Sequence, residues 1–373
     1  MSSVSVRPAS GGEEKIFLRL PEDLYRGNPH WVPPLWLAEA DRLNPRKNPF
    51  LARVPHQKFL AWRAGRPVGR IMAIDDDRHN EIHGDNLAFF GFFEAADAEV
   101  AAALFEAAEE WARARGRDAL RGPANPSLND TAGLLVWGFD DDPMMMMPYN
   151  PESYPEWVEG SGYAKVKDLY AWTMDLKPGV NARSRRIVDR IEKKMQPRPV
   201  IRQLSRKSFR EDIFTVRDIF VQCWSDNWGF VPPTEEEFWH AAKDMKLVLD
   251  WGMALMMELD GKPVAFSLSL SDLHQVYKRM GGRLLPFGFL KLLRRRRYMN
   301  RGRMMLLGVL PEHRNKGLEL ALITKSMENS AEIGWETGES SWTLEDNEGV
   351  AKAIKIVGGW HYKTYRLYEK PLS

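Results

Sequence analysis

The sequence predicts an α/β protein in which one strand-and-helix unit occurs twice. Apolar runs of strand length alternate with helical patterns along the 373 residues. A strand, a turn and a return strand at residues 58–74 have counterparts at 252–270, about 196 positions later. Asn150 and Asn347, each followed by a Gly-aromatic pair, lie about 197 positions apart. We therefore predict an internal duplication, with an N-terminal domain of residues 1–178 and a C-terminal domain of residues 179–373.

Composition narrows the classes of protein that fit. Lys and Arg number 53 against 51 Asp and Glu, so the charge balance does not indicate global binding of a polyanion. The single cysteine, Cys223, excludes an internal disulfide framework and fits a reducing compartment. The first residues lack the apolar core of a signal peptide, and no apolar run reaches the ~18 residues of a membrane span. We expect a cytoplasmic protein.

The N-terminal copy begins with a predicted strand at residues 4–6 and a helix at 14–25. The hairpin at 58–74 follows, with its turn at Gly65, Arg66 and Pro67. A strand at 87–93 then ends in Glu94, and a helix is predicted over 97–115. The order of these elements defines the repeated unit.

The C-terminal copy contains the most informative stretch of the chain. A basic helix at 180–196, a strand at 200–204 and the second hairpin precede it. Residues 304–310 form an apolar run of strand length that Pro311 ends, and a helical pattern runs from Leu318 to a C-cap at Gly334. The intervening turn brings backbone N–H groups, a helix N-terminus and the cations Arg314 and Lys316 to one point, which favours an anion such as a pyrophosphate.

The two copies differ at this turn. Glu94 aligns with Glu312, which places Ala96 opposite Arg314 and Glu99 opposite Gly317. The N-terminal copy therefore has an acid where the C-terminal copy has the glycine, and it lacks the cations. We predict that only the C-terminal copy binds a pyrophosphate.

The pattern of strand, Arg-x-x-Gly turn, helix, second strand, Asn and Gly-aromatic pair resembles the GNAT acyltransferases. The matching residues are Val309, Arg314 with Gly317, Asn347, and the pair Gly359 and Trp360. The resemblance implies two tandem GNAT-like domains of the α+β kind, each with a mixed, mostly antiparallel sheet flanked by helices. The sequence departs from the family pattern at two positions: Glu319 replaces the second small residue of the turn, and Lys355 replaces a tyrosine that often acts as general acid.

The wider chain is similar to a bacterial family of double-GNAT acyltransferases. The segments WVPP, GRIMA, FFGFFE, GPANPSLND, GFDDDPMMMMPYNP and PFGFLKLLRRRR carry this resemblance. Some members are associated with acyl-CoA-dependent N-acylation of sphingoid bases, that is, with bacterial ceramide synthesis, and others carry a general acetyltransferase or regulator label. The resemblance implies acyl-CoA as co-substrate, an amine as acceptor and no metal.

The residues that the resemblance assigns to the cofactor surround the turn. Backbone of the strand before it pairs with pantetheine in GNAT enzymes, and the turn holds the phosphates. Asn347 starts a helix, so the alternative of a simple N-cap stays open. The expected cofactor-binding residues are Gly308, Val309, Arg314, Asn315, Lys316, Gly317, Leu318 and Asn347.

Three residues are candidates for proton transfer. Glu345 ends the predicted strand beside the cofactor, and His274 follows Asp272, a carboxylate that could orient it as a base. Because Asp77 and His79 repeat the same spacing, the alternative is a turn signal at a strand end. Tyr365, with Tyr362 on the same strand, could replace the missing acid; the alternative is packing within the sheet.

Each copy also carries its own insertion. Residues 122–151 are rich in Asn, Asp, Gly and Pro, which predicts an irregular loop that could line the substrate. The alternative is that its polar side chains hold turns. Its four consecutive methionines predict a buried strand, with a surface for a long acyl chain as the alternative. The expected substrate-binding residues are Asn125, Asn129, Asp130, Tyr149 and Asn150.

The second insertion, residues 283–303, has eight basic residues and no acid. Large apolar residues precede the arginines at 294–297, which favours peripheral contact with an anionic membrane surface and a lipid acceptor. The alternative is a structural role, in which these arginines form ion pairs with Asp140, Asp141 and Asp142. Two other functions stay open: acetylation of a small polar amine, and phosphate binding by a non-enzymatic nucleic-acid-binding or regulatory protein. The near-neutral charge counts against nucleic acid, so we expect no nucleic-acid partner.

Overall fold

The computed structural model describes residues 3–246 and 248–372. Short 3₁₀ turns occur at Trp251–Met253, Arg295–Arg297 and Pro311–His313. The strands are β1 Ser5–Pro8, β2 His56–Arg63, β3 Arg66–Ile74, β4 Leu87–Ala95, β5 Ala119–Gly122, β6 Ala124–Asn125, β7 Thr131–Ala132, β8 Leu134–Trp137, β9 Ala164–Asp175, β10 Pro199–Gln203, β11 Ala254–Leu259, β12 Lys262–Ser271, β13 Arg301–Val309, β14 Thr337–Leu344 and β15 Trp360–Pro371. The helices are α1 Glu13–Leu24, α2 Trp36–Arg42, α3 Pro49–Arg53, α4 Asp77–His83, α5 Ala98–Arg113, α6 Tyr154–Gly160, α7 Ala182–Lys194, α8 Phe209–Trp224, α9 Glu235–Lys246, α10 His274–Met280, α11 Gly288–Leu293, α12 Leu318–Glu332 and α13 Glu348–Val357.

The chain forms two compact units that are not continuous in sequence. Unit 1 contains the described residues up to Leu169, Tyr277–Phe289, and the chain from Thr364 onward. Unit 2 contains Tyr170–Val276 and Leu290–Lys363. Half of β9, residues 170–175, therefore belongs to unit 2, and most of β15, residues 364–371, belongs to unit 1. Each unit thus contains residues of the other repeat, which a linear boundary at residue 178 does not anticipate.

Unit 1 contains a mixed sheet in the order β1-β2-β3-β4-β5-β15. The hairpin β2–β3 and the pair β3–β4 are antiparallel, whereas β4 and β5 are parallel over a short stretch. α5 covers one face with an apolar stripe that includes Val100, Leu104 and Phe105. α1 and the short helices before β2 cover a second apolar cluster, built around Phe17, Leu60 and Met72.

Unit 2 repeats this arrangement in the order β9-β14-β13-β12-β11-β10. β10 through β13 are antiparallel neighbours, and β13 pairs with β14 in parallel. α12 supplies an extensively buried face, which includes Leu318, Leu322 and Ile323. Together the two units confirm the predicted class of a mixed α/β protein with tandem, mostly antiparallel sheets.

The order of elements supports the duplication. From β1 to β5 the chain runs strand, helices, hairpin, short helix, strand, long helix, strand, and from β10 to β14 it runs through the same series. A short helix and a long terminal strand then close each copy, as α6 with β9 and as α13 with β15. The boundary of the repeats at residue 178 stays a prediction, separate from the compact units.

None of the helices within residues 3–246 and 248–372 combines the length and the apolar character that crossing a bilayer requires.

Candidate active site

The candidate site of unit 2 is a fork between β13 and β14. One edge of β13 pairs with β12 from Gly302 to Val309. The other edge pairs with β14 only up to Met304 and Ser340, although the two strands continue to Val309 and Leu344. We call the unpaired halves, residues 305–309 and 341–344, the fork. Edge N–H and C=O groups inside it are available to a ligand that lies between the strands.

A β-bulge marks the point where the strands part. Ser269 faces Met304 and Leu268 faces Leu306, so Met305 is an extra residue on β13. A bulge bends its strand and re-aims the side chains that follow. The side chains of residues 304–307 are only partly buried although they lie in the middle of a sheet. The fork therefore has an apolar lining that the protein itself does not cover fully.

The turn at the open end of the fork leads into α12. Gly317 is the N-cap residue, its φ is 80°, and no side chain caps the helix. A Cβ atom at Gly317 would lie 2.6 Å from Ile191 Cδ1 of α7, so a side chain is excluded both by the left-handed backbone and by this contact. The first-turn N–H groups of α12 thus have no side-chain acceptor in the described structure. An uncapped helix N-terminus of this kind suits a phosphate.

The cations of the turn have different environments. The Arg314 guanidinium donates to Val309 O at 3.4 Å and to Cys223 O at 2.7 Å, so it connects the turn to β13 and α8. Lys316 Nζ lies 3.3 Å from His313 Nδ1 on the exposed side of the turn. Burial raises the pKa of the Cys223 thiol to about 11, and the nearby Arg314 only partly opposes this. Arg314 and Lys316 are both exposed residues, and of the two only Arg314 holds backbone carbonyls in the described structure.

The other expected cofactor residues serve the architecture of the turn. Asn315 adopts a left-handed conformation with φ 61°, and Leu318 is fully buried. Gly308 packs closely: a Cβ atom there would lie 2.9 Å from Trp224 Cζ3 of α8. Asn347 caps α13 by accepting a hydrogen bond from Val350 N at 3.3 Å. The cap alternative for Asn347 is thus observed, while ligand contact by these residues stays a prediction.

The structure places Glu345 and His274, two of the candidates for proton transfer, in unit 2. Glu345 lies directly after β14, at the open end of the fork. His274 starts α10, and its backbone N donates to Asp272 Oδ1 at 3.2 Å. The Asp272 side chain also forms an ion pair with Arg301 at 2.6 Å, so this carboxylate organises the chain after β12.

Tyr365, the third candidate, belongs to unit 1. Its side chain is fully buried and lies close to Gly133. A Cβ atom added at Gly133 would be 3.0 Å from the Tyr365 Cβ atom. The structure thus places Tyr365 in a different compact unit from Glu345. This burial favours the packing alternative for Tyr365.

The expected substrate-binding residues all belong to unit 1, and two of them hold backbone. Asn125 Oδ1 accepts from Phe92 N at 2.5 Å, and Asn125 Nδ2 donates to Thr131 O at 2.9 Å. Asn150 Oδ1 accepts from Leu135 N at 2.7 Å, and its Nδ2 donates back to Leu135 O at 3.0 Å. These amides bind neighbouring strands as a backbone would, which favours the alternative that they hold turns.

Asn129, Asp130 and Tyr149 complete that group. Ser127 Oγ donates a hydrogen bond to Asp130 Oδ2 at 2.6 Å. The same Ser127 Oγ accepts from Asn129 N at 3.2 Å, and Asn129 and Asp130 are exposed. Tyr149 is half-buried, and its carbonyl accepts from Tyr25 Oη at 3.2 Å. Burial raises the pKa of the Tyr149 hydroxyl.

The methionine run at 144–147 is not a strand, and that prediction was wrong. Met147 N donates to Met144 O in a tight turn, and Met146 has φ 63°. Met144 and Met147 are buried and the two between them are half-buried. Pro143 and Pro148, which flank the run, limit strand pairing at its ends.

A cluster that sequence reasoning missed lies where the fork begins. Arg303 of β13 faces Glu339 of β14 across the last paired residues, and both are buried. Arg303 Nε donates to Ser341 Oγ at 2.7 Å and lies 3.5 Å from Glu339 Oε1. Ser341 Oγ donates to Glu339 Oε1, and Tyr362 Oη donates to Glu339 Oε2. We call these four residues the apex cluster. The strands that carry Arg303 and Glu339 also hold Arg301 and two serines, so no simple pattern in the sequence singles the cluster out.

The corresponding place in unit 1 is filled. β4 pairs with β5 only over Leu87–Phe89, and β6 lies against the rest of the strand. Asn125 takes up the Phe92 N–H, and a Cβ atom at Gly91 would lie 1.8 Å from Ala124 O. The helix that follows, α5, is capped by Asp97, which accepts from Val100 N at 3.0 Å.

A search of protein-family models finds none that matches the chain. The chain is 37% identical over 380 residues to a protein named "Bacterial ceramide synthase" from Caulobacter vibrioides (strain NA1000 / CB15N), covering 100% of this chain and 98% of that protein. It is 35% identical over 370 residues to "Protein YghO" from Escherichia coli (strain K12), covering 96% of this chain and 93% of that protein.

Solved structures show the same fold at low sequence identity. A tandem GNAT protein from the clavulanic acid biosynthesis pathway has a TM-score of 0.60 at 13% identity, covering 100% of this chain and 99% of the other. A GCN5-related N-acetyltransferase from Sphaerobacter thermophilus has a TM-score of 0.52 at 13% identity, covering 84% of this chain and 80% of the other.

Proposed function

Because the chain belongs to the bacterial double-GNAT family of N-acyltransferases, which includes the ceramide synthase of Caulobacter vibrioides, we propose that unit 2 binds an acyl-CoA in its fork and transfers the acyl group to an amine. The observation that carries this proposal is the fork itself. Two strands part at a bulge, and the opening leads to an uncapped helix N-terminus. Among the described residues of unit 1, β6 and Asn125 occupy the corresponding place.

The binding chemistry follows from the geometry of the fork. The acyl-pantetheine arm is a chain of amides and methylenes, so it can pair with the free edges of β13 and β14 as an added strand would. The pyrophosphate meets the first-turn N–H groups of α12 and Lys316. Glu319, in the first turn of α12, is half-buried and opposes anion binding at the same helix end. Lys316 offsets that charge.

For the acceptor we propose a lipid amine, with a sphingoid base as the best candidate, and for the donor a long-chain acyl-CoA. The full-length relative named a bacterial ceramide synthase supports a sphingoid base as acceptor. The partly exposed apolar residues 304–307 at the fork suit the hydrocarbon chain of a long acyl group. An amine attacks the thioester carbonyl carbon, the C–N bond forms, the C–S bond breaks, and CoA leaves.

A lipid acceptor lies in a membrane, and we propose that residues 285–297 bring the enzyme to its surface. The side chains of Leu285, Phe287 and Leu293 are 77%, 70% and 74% exposed. The next four residues are arginines, and Arg296 pairs with Asp250 at 3.3 Å. Asp142, expected as a partner of these arginines, instead pairs with His30 and Lys278. Exposed apolar side chains followed by cations match an anionic leaflet, where each cation contributes ~1 kcal/mol.

The catalytic proposal is tested by comparing donors and acceptors. Transfer is measured from acetyl-CoA and from palmitoyl-CoA, onto a sphingoid base and onto small polar amines. We expect palmitoyl transfer to the sphingoid base to have the higher kcat/KM. A preference for acetyl-CoA and a polar amine would reject the lipid substrates and retain the acyltransferase; no transfer from any donor would reject the acyltransferase.

The membrane contact is tested by sedimentation with vesicles that contain anionic lipid. The variant Arg294→Gln/Arg295→Gln/Arg297→Gln keeps Arg296, which binds Asp250. The control Arg46→Gln/Arg66→Gln/Lys207→Gln removes the same charge from other exposed positions. We expect the first variant alone to lose sedimentation, by several kcal/mol of affinity at ~1 kcal/mol per cation. Equal sedimentation of both variants would reject this surface.

A further inference from the structure

The apex cluster has a polarity and burial that packing alone does not require. Glu339 is 1% exposed and Arg303 is 4% exposed, and both lie inside strands of the sheet. Removing an ion pair from water is costly, and a well-packed apolar pair of similar size is often equally stable. An ion pair at the start of a ligand cleft therefore calls for a functional explanation.

The hydrogen bonds of the cluster fix the direction of the carboxylate. Ser341 Oγ donates to Oε1 of Glu339, while Arg303 donates to the same serine through Nε at 2.7 Å and to its carbonyl through Nη2 at 3.1 Å. Oε1 is thus held from the strand side. Oε2 is turned toward Tyr362 of β15 and accepts a hydrogen bond from its hydroxyl. The phenol is in this way coupled to a buried base.

Tyr362 is the member of the cluster that a ligand can approach. Its side chain is half-buried, whereas Arg303, Glu339 and Ser341 are buried. The cluster lies at the last paired residues of β13 and β14, next to the bulge at Met305. If the proposed acyl-pantetheine arm lies in the fork, this apex is the closed end toward which its thioester would extend.

We propose that Tyr362 is a catalytic residue that relays the proton of the acceptor amine, and that Glu339 is its positioning residue. The inference rests on the proposed acyl transfer in unit 2. As the amine nitrogen bonds to the acyl carbon, its proton passes to Tyr362 Oη, and the phenol proton passes to Glu339 Oε2. The C–S bond then breaks. The protons return along the same path to the thiolate, which leaves as CoA thiol, and both side chains regain their starting states.

The relay accounts for two features of the sequence. Lys355 occupies the place of the tyrosine that is frequent in GNAT enzymes, and Tyr362 supplies a phenol from the following strand. Glu345, by contrast, lies at the open end of the fork, on the side of the turn that would hold phosphate. The relay therefore operates at the closed end, where little water would compete for the proton.

The test compares two matched variants of one strand. Tyr362→Phe removes only the hydroxyl that donates to Glu339, and Tyr368→Phe makes the same change on the same strand, where the hydroxyl donates to Glu159. We expect Tyr362→Phe to lower kcat by ~10²–10⁴-fold, the range for loss of a general acid–base group, with an unchanged KM for acyl-CoA. Each variant loses one hydrogen bond to a glutamate, so each should lower the melting temperature a little. The loss of kcat should shrink as the concentration of a small amine buffer rises. Tyr368→Phe should keep kcat.

Glu339 is tested together with its partner, because Glu339→Gln alone leaves Arg303 buried without its counter-charge. The double variant Glu339→Gln/Arg303→Met removes both charges, and we expect it to lower kcat and to flatten the pH profile of kcat relative to Arg303→Met. If the unmodified enzyme transfers the acyl group and Tyr362→Phe does so with the same kcat, the relay alone is overturned. Absence of transfer by the unmodified enzyme would overturn the proposed function, and the relay with it.

Discussion

Unit 1 and unit 2 contain the same series of strands and helices, but they differ where their two central strands part: β6 lies beside β4 in unit 1, whereas in unit 2 the pairing of β13 with β14 simply ends. In unit 1 the connection between β4 and α5 is two residues long, and Asp97 caps the helix. In unit 2 the connection between β13 and α12 has eight residues, and it ends in Gly317 without a side-chain cap. The fold thus provides the opening, and short local changes decide whether it remains a site.

In unit 1 the insertion occupies the place that corresponds to the fork. Asn125 accepts the Phe92 N–H, a backbone group of the strand that corresponds to β13. Arg63 pairs with Asp97 and Glu99, so the acids at the start of α5 have internal partners. These polar groups are therefore already satisfied by the protein. The comparison teaches that two copies of a unit can differ in what occupies a place as well as in the residues that line it.

The largest effect is expected from an acid at Gly317, because this change gives unit 2 the residue type that unit 1 has at the corresponding Glu99. We expect calorimetry to find one CoA site per chain, and Gly317→Glu to weaken it by more than ~100-fold, because like charges and a strained backbone oppose the pyrophosphate. Gly334→Glu is the control: it has φ 78°, no atom within 4 Å of an added Cβ, and lies just beyond the other end of α12. Two equivalent CoA sites would contradict the assignment to unit 2.

A smaller effect is expected from reopening the fork of unit 1. Asn125→Ala leaves the Phe92 N–H without its acceptor, which should lower the free energy of unfolding by ~1–3 kcal/mol in denaturant titrations. The number of CoA sites should stay at one, because α5 remains capped. Asn129→Ala, in the exposed turn of the same insertion, should change stability by less than ~0.5 kcal/mol. A second CoA site in Asn125→Ala would show that the filling alone had closed unit 1.

The smallest effect concerns the cap of α5. Hydrogen bonding from Arg63 lowers the pKa of Asp97, so its stabilisation is fully present above the unfolded pKa of about 3.9 and is lost as pH falls through the lower folded pKa. Asp97→Ala should therefore cost ~1 kcal/mol at pH 7 and little at pH 2 to 3. Asp97→Asn keeps a cap acceptor and should cost less. A pH-independent difference would mean that the carboxylate charge is not involved.

Local sequence patterns predicted the elements well, because they depend on nearby residues. The apolar run at 304–310, Pro311 and Gly334 correctly indicated β13, its end and the end of α12. These features follow from spacing and from the conformational limits of single residues.

Features that depend on distant residues were not predictable. The partners of Arg314 are two backbone carbonyls, one of them at Cys223 on α8, and no spacing in the sequence reveals that contact. The apex cluster joins Arg303, Glu339 and Tyr362 from three different strands. The presence of residues of each repeat in the other unit was equally hidden, because β9 and β15 have the same apolar patterns whichever sheet they enter.

The division of the chain into units has a consequence for truncation. Residues 170–175 of the first repeat belong to unit 2, and residues 364–371 of the second belong to unit 1, where β15 pairs with β5. No single cut in the chain therefore separates the two units. A fragment that ends at residue 178 lacks residues 277–289 and 364–371 of unit 1, and a fragment that begins at residue 179 lacks residues 170–178 of unit 2. Neither repeat alone contains all the residues of one unit, so each depends on the other for a complete unit.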